Sequence, residues 1–102
     1  MSKRKAKEPS YIVPALERGL LLLQAFSKDK PVQSLGILAK ELDLPRATTF
    51  RLANTLEHLG FLIRDEESGE YRVGAAALKL GWTYLTGLEL PEIAYPFLSD
   101  LR

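Results

Sequence analysis

The stretch LPRATTFRLANTLEHL, residues 44–59, places two arginines, an asparagine and several threonines at a spacing that gathers them on one side of a helix. Arg46, Ala47, Thr48, Phe50, Arg51, Asn54 and Thr55 share that side, and Thr49, Leu52, Ala53, Leu56 and Leu59 form an apolar stripe on the other. Side chains of these types read base edges. An arginine fork pairs with guanine, asparagine pairs with adenine, and threonine or alanine meets the thymine methyl. Thr49 is counted with the DNA-contacting residues as well as with the stripe. The chain has no cysteine, a single histidine (His58) and no phosphate-binding glycine loop, and its carboxylates cluster only in the turn from Asp65 to Glu70. That inventory offers recognition and no catalysis, no metal site and no cofactor site. His58, near the helix end with no second ligand beside it, reads as a surface or capping residue.

Such a face works only if another element presents it. Ser34 reads as an N-cap, and Leu35, Leu38, Ala39 and Leu42 follow at helical spacing. Asp43, Leu44 and Pro45 make a three-residue turn, with Pro45 suited to the first position of the next helix. A turn this short forces two helices to cross steeply, and the small Ala39 suits their close approach. The second helix runs from about Arg46 to Leu59 and ends at Gly60, a C-terminal cap residue. Two short strands follow, Phe61–Arg64 and Tyr71–Val73, joined through Ser68-Gly69. The acidic tip of this hairpin should be repelled by phosphates, which leaves Arg64 or Arg72 at its flanks as the wing's contacts. Phe50, exposed near the start of the helix, suits thymine methyls or sugar better than the core, because burying it would push Leu52 or Leu56 outward.

Residues 1–10 read as a disordered basic arm carrying Lys3, Arg4, Lys5 and Lys7. A first helix is expected over Val13–Phe26, with Leu16, Leu20, Leu23 and Phe26 on one stripe and Leu21 and Leu22 off it. It is either the central helix of a small core or a helix with a second face for a partner. Ser27–Gln33 reads as a polar connector. After the hairpin, Gly74–Gly87 forms another helix, with Leu78, Trp82 and Leu85 on one stripe and Leu80 and Tyr84 on another side. This much apolar surface beyond a complete small core favours pairing with a second protomer over a cap on the single-domain core. A break over residues 87–90 precedes a further apolar pattern from Pro91, which reads as the start of a truncated second domain. The domain plan is therefore 1–10 arm, 11–74 DNA-binding domain, 75–90 linker helix and break, and 91–102 the beginning of an effector-binding domain.

Composition sets the outer limits. The 102 residues suffice for one ordinary domain, and a hydrophobic share of 46% with 26% charged residues is normal for a globular fold. No apolar run reaches the roughly 18–20 residues of a membrane span, and the basic N-terminus is followed by Glu8 and Pro9 instead of a secretory core. A reducing cytoplasm is the natural setting. The net charge of +1 conceals an asymmetry: residues 1–64 hold 11 Lys/Arg against 6 Asp/Glu, and residues 65–102 hold 3 against 7. The positive part contains the two helices and their turn, as a phosphate-facing surface requires. Lys28, Lys30, Lys40 and Arg46 are the candidates for releasing counterions from DNA.

The fold class is thus mainly α with a small β-hairpin: a winged helix-turn-helix, three-helix core plus wing, followed by a linker helix. Four segments in order, ALERGLLLLQAF, LPRATTFRLANTLEHLGFL, YRVGAAALKLG and LPEIAYPFLSDLR, resemble the N-terminal part of IclR-family transcriptional regulators, over about residues 12–102. The resemblance implies a bacterial or archaeal regulator that binds palindromic operators as a dimer, often a dimer of dimers, and represses or activates catabolic operons. It further implies a GAF-like C-terminal domain that binds a small-molecule effector. On this sequence the family's recognition motif falls on Arg46, Ala47, Thr48, Phe50 and Arg51, and Ser34 matches the start of the supporting helix. A winged helix that only binds proteins is the alternative; its second helix would then be acidic or apolar, without Arg46 and Arg51.

Overall fold

The computed structural model describes residues 10–88. Seven elements follow one another: α1 (Pro14–Gln24), β1 (Val32–Gln33), α2 (Leu35–Leu42), α3 (Arg46–His58), β2 (Leu62–Arg64), β3 (Tyr71–Val73) and α4 (Ala75–Thr86). The basic arm apart from Ser10, and the pattern beginning at Pro91, lie outside the described residues.

Helix α1 opens on Pro14, where a missing N–H costs nothing. It buries Gly19 and Leu22, with Leu23 and Phe26 packed at the margin of the core. Leu16 and Leu20, expected inside, are exposed, and Leu22, expected off the stripe, is wholly buried. The inward face is therefore rotated towards Gly19 and Leu22. Helix α1 is also shorter than expected at both ends. Its last turn is closed by Gln33, whose Nε2 donates to the Ala25 carbonyl at 2.6 Å and so satisfies an acceptor left over at a helix C-terminus.

Both helices of the helix-turn-helix end in the same way. In α2 the N–H of Leu44 donates to the Ala39 carbonyl and that of Asp43 to the Lys40 carbonyl, with Asp43 in the left-handed region at φ 57°. In α3 Phe61 donates to Leu56 and Gly60 to Glu57, with Gly60 at φ 88°. These are Schellman motifs, each followed by an apolar residue that turns back onto the helix. Asp43 tolerates the left-handed conformation better than most side chains, and it creates the abrupt turn before α3. Pro45 is the extended N-cap of α3, at φ −60° and ψ 151°, and not its first helical residue.

Helix α3 packs on α1, α2 and β2, which places it at the centre of the domain. The core unites Leu22, Leu38, Ala53, Leu56, Leu62 and Tyr71. Leu59, expected on the inward stripe of α3, is exposed because the helix ends at His58 and the chain turns away. The wing has three strands, in the order β1-β3-β2, all antiparallel. The expected connector over Ser27–Gln33 thus contributes a strand: Val32 pairs with Arg72 and Gln33 with Tyr71. Tyr71 and Leu62 point inward, so the sheet closes one end of the core. Burial holds the Tyr71 hydroxyl above its ordinary pKa; the nearby Arg64 works against that shift and Glu57 adds to it.

Candidate nucleic-acid interface

The exposed side of α3 is built by elimination. Thr49, Ala53 and Leu56 are taken by the core, and Leu52 is half-buried beside it. What remains outward is Arg46, Ala47, Phe50, Arg51, Asn54, Thr55 and His58, a continuous strip repeating every fourth residue. Phe50 is 45% exposed, a large aromatic held in solvent amid polar neighbours. Thr48 is half-buried at the edge of the strip.

Thr49 leaves the candidate set. Its side chain is fully buried, and its hydroxyl donates to the Pro45 carbonyl at 3.0 Å. A threonine that satisfies its hydroxyl against its own backbone fits an apolar stripe and presents nothing to a ligand. Thr55 makes the equivalent bond to the Arg51 carbonyl at 2.8 Å, but on the exposed side.

Arg46 lies across the start of α2. A Cβ on Gly36 would come within 3.1 Å of its Nη1, so the guanidinium rests over the bare backbone of that residue. Ser34 caps α2 by accepting from the Ile37 N–H at 3.3 Å, and the N–H groups of Leu35 and Gly36 have no partner within the helix. The guanidinium and the positive end of α2 thus stand together, an arrangement matched to a phosphate oxygen. The start of α3 adds to it, since no side chain caps its first N–H groups. The role of Gly36 was not read from the sequence. Only the crossing of the two helices brings it under Arg46.

The supporting charges divide. Lys30 is ion-paired to Glu41 at 3.2 Å with its side chain still largely exposed, which links the α1–β1 loop to α2. Arg64 and Arg72 are both exposed but lie on opposite faces of the wing: Arg64 pairs with the inward-pointing Tyr71 at the sheet's end, and Arg72 pairs with Ile63 and Val32 on the outer face. The Arg64 guanidinium reaches towards the turn, where a Cβ on Gly69 would sit 3.9 Å from its Nη2. At the tip, the Ser68 N–H donates to the Asp65 carboxylate at 2.9 Å. That bond, the Ser68 side chain and the charge of Arg72 hold the Asp65 pKa below the ordinary aspartate value. Arg64 is therefore placed at the edge of the acidic turn, separate from the α3 strip in the chain. Among the described residues no group of three or more His, Cys, Asp or Glu could hold a metal ion. None of the described helices is long and apolar enough to cross a membrane.

Comparison with known proteins fits this geometry. Residues 15–66 match the model of the IclR helix-turn-helix domain. Over 87 residues the chain is 34% identical to the HTH-type transcriptional repressor AllR of Klebsiella pneumoniae, an alignment covering 85% of this chain and 32% of the repressor. The solved IclR family transcriptional regulator from Brucella abortus superposes with a TM-score of 0.76 at 34% identity, over 88% of this chain and 35% of that one. A transcriptional regulator from Rhodococcus gives a TM-score of 0.67, also at 34% identity, over 88% and 35% of the respective chains. The chain spans about a third of the length of the curated relatives it matches. These relatives are transcriptional regulators and not enzymes. A helix-turn-helix with an arginine-bearing outer face, matched by the family model across its whole length, shows that this chain belongs to the IclR family of DNA-binding transcriptional regulators.

Proposed function

We propose that the outward strip of α3 enters the major groove of an operator and discriminates its sequence, and that two copies do so together on a palindrome. The observation that carries this reading is the division of α3 itself. Its apolar residues are consumed by the core, and the remaining exposed strip offers Arg46, Phe50, Arg51 and Asn54 to a partner. A helix of 10–12 Å diameter fits a groove about 12 Å wide. Arg51 and Asn54 supply base-edge hydrogen bonds, Phe50 and Ala47 apolar contact with thymine methyls or sugar, and Thr48 a contact at the strip's edge. Arg46 and the capped start of α2 at Ser34 take a phosphate and set the register. Arg64 offers a further phosphate contact from the wing. These contacts release counterions, so affinity falls steeply with salt.

The second copy is inferred from apolar surface. Leu16, Leu20 and Leu21 on α1, and Leu78, Leu80, Trp82 and Tyr84 on α4, are all exposed, and α4 buries none of its residues. Apolar area of this extent on two helices calls for a second protein surface, and pairing there would bring two recognition helices to one palindrome. The likeness to a named repressor supports control of transcription. By the family resemblance, sensing of a small-molecule effector belongs to a C-terminal domain, control falls on catabolic genes, and the protein acts in the cytoplasm.

The test is fluorescence anisotropy of the chain on DNA from upstream of its own gene and on scrambled DNA, across a salt series, beside Arg51→Ala. Preferential, salt-dependent binding that Arg51→Ala largely removes is the expected result. No binding to either DNA at low salt would move the assignment to a protein-interaction module.

A further inference from the structure

Two backbone hydrogen bonds tie the start of helix α4 to the end of the recognition helix. Gly60, held at φ 88° by the Schellman motif that ends α3, turns its carbonyl towards the start of α4 and accepts the Ala76 N–H at 3.1 Å. One residue on, the Phe61 carbonyl accepts the Gly74 N–H at 2.8 Å. Gly74 lies so close to this turn that a Cβ there would stand 2.5 Å from the Gly60 oxygen and 3.3 Å from the Gly60 carbonyl carbon. The obstacle is main chain, which cannot swing aside. Gly74 has φ −98° and ψ 177°, an extended conformation open to any residue, so proximity and not backbone freedom is what requires glycine here. No α4 residue is fully buried, and only Ala76, Ala77 and Leu85 are partly covered, so packing against the core holds the helix's direction only weakly.

We propose that Gly74 is a positioning residue, and that its contact with Gly60 fixes the angle at which α4 departs from α3. The inference deepens the reading of α3 as the groove helix and α4 as the pairing helix, and its consequence rests on that reading. With two copies paired through α4, the α3–α4 angle sets the distance between the two recognition helices and hence the half-site spacing the pair accepts. Any residue larger than glycine at position 74 must open the joint.

The chain contains no cysteine, so a nitroxide pair placed by Thr55→Cys on α3 and Thr83→Cys on α4 reports the angle directly, with labelled chains diluted by unlabelled ones. Pulsed EPR should give a single narrow distance in this background. Gly74→Ala should displace or broaden it. Ala76→Pro, which removes the donor to Gly60, puts a ring methylene in its place and lies in the first helical turn where proline is tolerated, should do the same with thermal unfolding of the core preserved. In parallel, selection from random-sequence DNA should yield one half-site spacing for the parent chain and a shifted or mixed spacing for both variants. Unchanged distances in both variants overturn the proposal, as does a changed distance with an unchanged spacing. A parent chain that enriches no paired half-sites refutes the paired-DNA reading instead, and the EPR distances still judge the joint.

Discussion

Helices α3 and α4 are nearly equal in length, 13 and 12 residues, and their surroundings are the reverse of what their compositions suggest. The more polar α3 lies at the centre of the domain with Thr49, Ala53 and Leu56 buried. The apolar α4, with Leu78, Leu80, Trp82, Tyr84 and Leu85, buries nothing. A helix spends its apolar residues where a neighbour can cover them. For α3 those neighbours are α1, α2 and β2 of the same chain, and its polar remainder is left for an aqueous, polyanionic partner. For α4 the described residues cover only Ala76, Ala77 and Leu85 in part, and its apolar remainder is left for the pairing proposed above. The two helices thus advertise two different partners, and the joint at Gly60 and Gly74 ties one to the other.

Substitutions can break this contrast in order of size. Leu38→Ala removes a fully buried side chain beneath α3 and should cost about 2–5 kcal/mol of stability, measured by urea unfolding, with DNA binding lost along with the fold. Trp82→Ala should leave unfolding of the core within about 0.5 kcal/mol of the parent and weaken self-association by about 2 kcal/mol, read by sedimentation at graded concentrations. If it destabilised the core as Leu38→Ala does, α4 would belong to that core and the contrast would collapse. Arg51→Ala should lower discrimination between operator and scrambled DNA by about 1–3 kcal/mol with an unchanged thermal midpoint. Ser34→Ala should cost about 1 kcal/mol of stability through the lost cap, and, with the start of α2 proposed to take a phosphate, should weaken binding to all sequences alike.

The smallest effect lies in the wing turn. The Asp65 pKa is lower folded than unfolded, so its contribution is present above the ordinary aspartate range and is lost as pH falls below about 4 through the lowered value. Asp65→Asn should flatten that acid limb of the stability profile without altering DNA affinity at neutral pH, as followed by unfolding across a pH series.

The helix-turn-helix is legible because its punctuation is local. Ser34 caps, Pro45 and Gly60 bound α3, and period and breaker residues agree. The outward strip follows from the same period, which is why Phe50 is exposed as its phase requires. The phase of α1 was not legible, since four successive leucines, Leu20–Leu23, fit several stripes equally well, and only packing selects Leu22. Strand β1 escapes a sequence reading because two residues after a proline become a strand only when β3 lies beside them. Thr49 is ambiguous as a letter: its hydroxyl suggests a contact until the Pro45 carbonyl takes it. The approach of Gly36 to Arg46 and of Gly74 to Gly60 joins parts of the chain that no local pattern relates.

The most direct test of the account sets Arg51→Ala beside Trp82→Ala on two DNAs, one carrying a single half-site and the other the full palindrome, with affinities measured at one salt concentration. Arg51→Ala should weaken binding to both DNAs, and Trp82→Ala should weaken binding only to the palindrome. Full single-site affinity in Arg51→Ala, or equal losses on both DNAs in Trp82→Ala, would contradict the assignment of DNA to α3 and of the second copy to α4.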